Sequence, residues 1–383
     1  MNRIVSILAV LAIAAFSQAC HGGGDDPVPA PTPEPVVDVD FASGADISWI
    51  SEMEAEGLTF TDSYGSDDIL SVLDYLGMNA IRLRVWVNPY DVKGWSGQKD
   101  VVNMAKRASD QGFAIMLDFH YSDFFADPGR QTIPAAWSDK SESPSAIAQA
   151  VSTHTQEVLN SLKTLGVTPS WVQVGNETNN GMAWNAGKID WNKSGSARYT
   201  NYVTVSNAGY DAVKKVFPDT PVIVHIADAY NAGDYDCWFF KEFKEAGGKF
   251  DIIGLSHYPM SVTKIGSDEV SWRDVNRMAV ESIKALSSKF SCKVMVCEVG
   301  VVPSTEGASC MDSFMDSVKR LGDKVCCGVF YWEPEVDGTW KPAIYSNPAL
   351  ICNGWEPYKM GAFTRSGSVF TPIVSILSPI GRD

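Results

Sequence analysis

The chain has 383 residues, room for one large domain or two ordinary ones, and its 45% hydrophobic and 20% charged composition is that of a globular protein with a sizeable core. A formal charge of −15 argues against nucleic acid or another polyanion as partner, since no basic patch is available to release counterions. Twelve tryptophans favour a ligand with flat apolar faces, sugars among them.

The first segment, "MNRIVSILAVLAIAAFSQAC", carries an early arginine, an apolar run too short for a comfortable membrane span, and small residues before Cys20. It reads as a signal peptide over 1–19, with Cys20 as the lipid-bearing first residue of a bacterial lipoprotein; Ser17 stands where that pattern prefers an aliphatic residue. An ordinary signal peptide is the alternative. "HGGGDDPVPAPTPEPVVDVD" then reads as a tether reaching residue 40, too rich in Gly, Asp and Pro to form a core. Residues 41–383 are expected to form one domain on a bacterial cell envelope, anchored to membrane only through the lipid and acting as a monomer.

From residue 41 onward, short apolar runs alternate with amphipathic ones. Strands are expected at 41–49, 78–87, 113–122, 170–177, 220–228, 250–259, 292–300 and 324–334. Helical stretches lie between them, among them 66–77, 143–166 with a C-cap at Gly166, 270–290 and 309–322. Eight such pairs make an α/β fold, a single (β/α)8 TIM barrel with long βα loops. The alternative is an open doubly wound sheet, but no GxGxxG or GxxxxGK[ST] follows a strand.

Besides Cys20 there are seven cysteines without CxxC spacing, and five scattered histidines, so neither zinc nor another metal is implied. Most of these cysteines read as small buried hydrophobes, although an oxidising compartment would permit a disulfide.

The predicted strands end on polar or aromatic residues. In order these include Asp46, Arg84 and Trp86; Asp118, His120 and Tyr121; Asn176 and Glu177; His225 and Asp228; His257 and Tyr258; Glu298; and Tyr331, Trp332 and Glu333. In a barrel those ends gather at one mouth, where active sites are built. Glu177 on strand four and Glu298 on strand seven would face each other there. Such a pair suits glycoside hydrolysis, one carboxyl protonating the leaving oxygen and the other attacking the anomeric carbon. Asn176 could donate to the sugar 2-hydroxyl. Alone, Asn176-Glu177 could cap a helix and Glu298 could be an ion-pair partner; together they indicate a site.

Several motifs resemble a clan A glycoside hydrolase, and more narrowly family 53, the arabinogalactan endo-β-1,4-galactanases. They are "GADISW" (44–49), "IRLRVWVNPYD" (81–91), "DFHYSDFFADPGRQTIPAAW" (118–137), "VGNETNNGMAW" (174–184), "GLSHYP" (254–259), "EVG" (298–300) and "YWEP" (331–334). The resemblance implies retaining hydrolysis of β-1,4-galactan and its galacto-oligosaccharides, with Glu177 as acid/base and Glu298 as nucleophile. It places Asn176, Arg84, His120, Tyr258 and Trp332 around the cleaved sugar. Asp46, Trp86, Asp118, Tyr121, Phe125, His257 and Glu333 are further substrate-binding candidates, and Trp137 and Trp184 further aromatic platforms.

Phe125 departs from the pattern, which has tryptophan there. The loop 301–309 holds a single carboxylate, Glu306, so the calcium held by some bacterial relatives is not supported and no cofactor is required. Other clan A activities on mannan, cellulose or xylan are the nearest alternative. A non-catalytic glycan-binding lipoprotein is a further one, although it predicts a lost carboxylate and both are present.

Overall fold

The computed structural model describes residues 36–382, apart from 63, 64, 66, 67, 91, 92, 349 and 351. The expected signal segment, Cys20 and most of the expected tether lie outside the described residues. The end of the tether stretch does not: Val37 and Val39 pack against the floor of the domain, and the Ser170 hydroxyl donates to the Val37 carbonyl at 3.2 Å. Among the described residues, contacts with the domain are therefore already made four residues before the expected boundary at 41.

Eight parallel strands close into a barrel: β1 (Ala42–Asp46), β2 (Ala80–Val85), β3 (Ala114–Phe119), β4 (Trp171–Val174), β5 (Val222–Ile226), β6 (Ile252–His257), β7 (Lys293–Val299) and β8 (Cys326–Trp332). Each pairs with its sequence neighbours, and β8 closes on β1 with Asp46 opposite Trp332. Every expected strand is present, trimmed at its ends. A ring of helices surrounds them: α1 (Ile50–Ala55) and α2 (Ile69–Tyr75), then α3 (Gln98–Asp110), α4 (Pro144–Thr164), α5 (Thr200–Val216), α6 (Asp234–Glu245), α7 (Trp272–Phe290), α8 (Thr305–Lys319) and α9 (Val374–Gly381).

Local chemistry sets the helix ends. Ser143 accepts from the Ala146 N–H ahead of Pro144, and Ser271 with Asp274 forms a capping box on α7. Ser304 accepts from the Gly307 N–H, so α8 begins at Thr305 rather than near 309. The loop after β7 is correspondingly short, and Glu306 lies in the first turn of α8, accepting from the Trp272 indole at 2.9 Å.

The barrel interior is layered. Ala42, Ala80, Ala114, Trp171, Ile223, Ile252, Met295 and Phe330 fill the lower part. Two residues up on three of the strands, and so on the same face, polar groups replace them: Arg82 on β2, Gln173 on β4 and His225 on β5. Phe330 occupies the centre, and a Cβ on Gly44 would lie 2.3 Å from its ring, so only glycine fits beside it on β1. On β7 the pairing with β6 slips between Val296 and Glu298, a β-bulge at Cys297. Strict alternation would send Glu298 outward with Val294 and Val296, which belong to the strand–helix core. The bulge turns it inward.

The cysteines pack as small apolar groups: the seven in the described residues are free thiols, and all but the half-buried Cys292 are buried. Replacing the plug, Phe330→Ala, is expected to destabilise the fold by about 3–5 kcal/mol, read from the midpoint of urea unfolding; an unchanged midpoint would show that the floor does not depend on it.

Candidate active site

A cleft of about 500 Å³ opens at the C-terminal ends of the strands. Of the expected residues, His120, Phe125, Asn176, Glu177, Tyr258, Glu298 and Trp332 line it. Asp127, Asp228, Tyr230, Ser256, Tyr345, Trp355 and Tyr358 join them, from positions the strand-end pattern did not single out or, for Asp228, did not assign to the site.

Beneath the cleft lies Arg82, fully buried on β2. Its Nη1 donates to Asp46 at 2.7 Å. Its Nη2 lies 2.7 Å from Asp118 Oδ2, 2.9 Å from Glu298 Oε1, 3.0 Å from Asn176 Oδ1 and 3.2 Å from Gln173 Oε1. Two hydrogens serve those four acceptors, so the bonds are shared. Burial disfavours the charged guanidinium, but Asp118, Glu298 and Asp46 outweigh it and push its pKa above the ordinary arginine range. Arg82 was absent from the expected site because it sits mid-strand rather than at a strand end.

Glu298 is held at both oxygens: Arg82 reaches Oε1, and the Tyr258 hydroxyl donates to Oε2 at 2.8 Å. Burial pushes its carboxyl up, with Asp118 and Asp46 adding to the rise, while Arg82 and Tyr258 pull toward the anion. No cation reaches Glu177 among the described residues. Burial and then the charge of Glu298 raise its carboxyl well above the usual range, with Asp127 and Asp228 adding to the rise and the Ser256 hydroxyl opposing it. The two glutamates sense each other, but only one sits on a guanidinium.

Glu177 lies two residues after Gly175 (φ 84°) and itself adopts φ 44°, a left-handed conformation uncommon for a side chain of its size. The surroundings hold it there. Gln131, from the loop after β3, donates to the Asn176 carbonyl at 2.8 Å and the Asp127 carbonyl at 3.1 Å. His225 Nδ1 accepts from the Glu177 N–H at 3.3 Å, and its Nε2 meets the Ser256 hydroxyl at 2.9 Å. Burial and the nearby Arg82 keep that imidazole neutral. The Asn176 amide donates one N–H to the Ala126 carbonyl at 2.9 Å, leaving the other for the cleft. His120 bridges Asp118 and the Ala126 N–H, each at 2.9 Å, and so ties the β3 loop to the charged floor.

The other expected site residues do not line the cleft. Asp46 and Asp118 serve as acceptors for Arg82. Arg84 pairs with Glu333 at 2.6 Å, its guanidinium 3.9 Å from the Trp49 ring and 4.6 Å from Phe125, and Trp86 packs into the same cluster. This cluster backs the cleft wall from behind. His257 follows inward-facing Ser256 and therefore points out, bonding Asn276 of α7 at 2.8 Å and lying 4.2 Å from the Phe314 ring. Tyr121, past the end of β3 at φ 50°, turns to Thr155 of α4. Of the additional platforms, Trp137 packs on His154, while Trp184 bonds the Asn180 carbonyl through its indole; neither lines the cleft. Trp332 does line it, wedged among Phe125, Tyr258 and Tyr358.

A closed barrel whose fourth and seventh strands bring two glutamates into one aromatic-walled cleft, one on an arginine and the other without a cation, has the architecture of a glycoside hydrolase. The chain belongs to glycosyl hydrolase family 53, whose sequence model matches residues 42–356. It is 29% identical over 369 residues to the endo-β-1,4-galactanase of Bacillus subtilis, covering 87% of this chain and 78% of that protein. It is 37% identical over 224 residues to an arabinogalactan endo-β-1,4-galactanase of Cellvibrio japonicus, covering 57% of each. The solved family 53 catalytic domain of Ignisphaera aggregans superposes with a TM-score of 0.71 at 25% identity, covering 92% of this chain and 99% of that one.

Arg82→Met would leave Asp46, Asp118 and Glu298 facing one another around an apolar side chain. We expect a loss of about 3–5 kcal/mol in denaturant unfolding at neutral pH, shrinking as acid neutralises the carboxylates; a pH-independent loss would count against the charge argument.

Proposed function

We propose that this protein is an endo-acting, retaining β-1,4-galactanase working from a bacterial envelope, tethered through a lipid on Cys20. The observation that carries the chemistry is the unequal setting of the two glutamates. Glu298, oriented by Arg82 and Tyr258, supplies the nucleophilic oxygen. Glu177, pushed up by burial and by Glu298, retains a proton to give. The family and the activities named for the Bacillus and Cellvibrio relatives support galactan as substrate.

In the first step a Glu298 oxygen forms a bond to the anomeric carbon. The bond from that carbon to the leaving sugar's oxygen breaks, and the Glu177 proton passes to that oxygen. In the second step Glu177, now a carboxylate, takes a proton from water as the water oxygen attacks the anomeric carbon. The bond to Glu298 breaks and the sugar leaves with its original configuration. Asn176, which lines the cleft and spends only one amide N–H on Ala126, suits the 2-hydroxyl, and Trp332 offers a flat face to the ring. No cofactor enters either step.

Reducing-sugar release from a polysaccharide panel tests the substrate. Activity on linear galactan is expected, and activity on cellulose or mannan with none on galactan would sink the assignment. Glu298→Ala should abolish turnover while oligosaccharide binding stays measurable.

The pH profile should be bell-shaped. Activity falls on the acid side as Glu298 takes a proton, and on the alkaline side as pH rises through the elevated Glu177 value. Glu177→Gln should lose most activity on galactan but much less on an aryl glycoside, whose leaving group needs no proton, and its alkaline limb should vanish. Persistence of that limb in the variant would refute the acid role.

A further inference from the structure

Asp228, just past β5, lines the catalytic cleft and also a second hollow of about 140 Å³, so the two adjoin there. Asn231 and Trp238, the latter in the first turns of α6, border the hollow. The Trp238 ring lies 5.9 Å from that of Trp191, the two planes tilted by 59°. Trp191 is 45% exposed, which is much apolar area to leave in water, yet its ring is held in place. Its indole N–H donates to Asn180 Oδ1 at 3.0 Å, and the Arg198 guanidinium lies 5.2 Å over its face. Among the described residues, neither the Asp228 carboxylate nor the Asn231 amide is hydrogen-bonded through its side chain to another protein group.

The site fixes which half of a substrate chain would arrive there. Glu177, past the end of β4, donates its backbone N–H to His225 of β5, so the acid stands on the β4–β5 side of the cleft, with Glu298 on β7. The leaving sugar must lie on that side, and a polymer continuing from it passes over Asp228. We propose that Trp238 and Trp191 form a distal sugar-binding platform for the leaving-group half of a neutral β-linked glycan chain, with Asp228 and Asn231 bonding its hydroxyls on the way. This rests on the galactanase reading. An exposed, immobilised pair of rings flanked by uncommitted polar groups matches the apolar faces and hydroxyl edges of such a chain.

The test measures Trp191→Ala and Trp238→Ala on linear β-1,4-galactan and on an aryl β-galactobioside, whose leaving group ends at the aryl ring. For each variant the ratio of kcat/KM on galactan to that on the aryl substrate should fall about tenfold, mainly through KM, the scale of one lost aromatic contact. The distribution of product lengths should shift, and Trp238→Phe, which keeps a flat ring, should recover most of the loss. A fall of equal size on both substrates, or none on galactan, would overturn the platform. Wild-type enzyme idle on galactan but active on another glycan would overturn the galactanase reading instead, and the same comparison on that glycan would still decide the platform.

Discussion

One buried guanidinium sets the terms for everything above it. Arg82 stands among Asp46, Asp118 and Glu298, carboxylates that could not remain ionised together inside a barrel without a cation between them. Its charge keeps the Asp118 carboxyl below its ordinary range despite complete burial. Asp118 in turn orients His120, and His120 accepts from the Ala126 N–H, so the β3 loop that forms one wall of the cleft is tied to the same cation. The polar layer is a connected network with Arg82 at its centre.

The same cation separates the roles of two chemically identical side chains. Both glutamates are desolvated, and each disfavours ionisation of the other. Arg82 and Tyr258 hydrogen-bond Glu298 and not Glu177, while Glu177 has a hydroxyl and two further carboxylates nearby. One residue is thereby suited to attack and the other to protonate, by environment alone. A second arginine, Arg84, does comparable work one layer up without touching the cleft: paired with Glu333, it braces the Trp49, Trp86 and Phe125 rings behind the wall.

How far the site could be read from the chain depends on what kind of information each residue needs. The strand beat was legible because short apolar runs alternate with amphipathic ones, and the barrel followed from their number. Glu177, Asn176, Tyr258 and Trp332 were legible because they close those runs. The same rule misplaced His257 and Tyr121. Ending a strand does not say which face a side chain takes, and a shift of one position sends it to the helix layer. Arg82 was passed over for the converse reason, since it lies mid-strand and its importance comes from what stands opposite. Tyr345 and Tyr358 come from the irregular segment after β8, where no period marks an inward face, and Trp355 beside them could not be told from a core anchor.

The sequence by itself determined the eightfold alternation, the two glutamates and the aromatic wealth around them, because these depend on residue type and local spacing. Tertiary structure decided that Glu298 faces its partner at all. On a regular strand it would share the outward face of Val294 and Val296, and the register slip at Cys297 against β6 reverses it. That slip exists in the pairing of β7 with both its neighbours, β6 about 40 residues earlier in the chain and β8 about 30 residues later. No local pattern in "KVMVCEV" announces it, since a strand's register is set by its neighbours across the sheet.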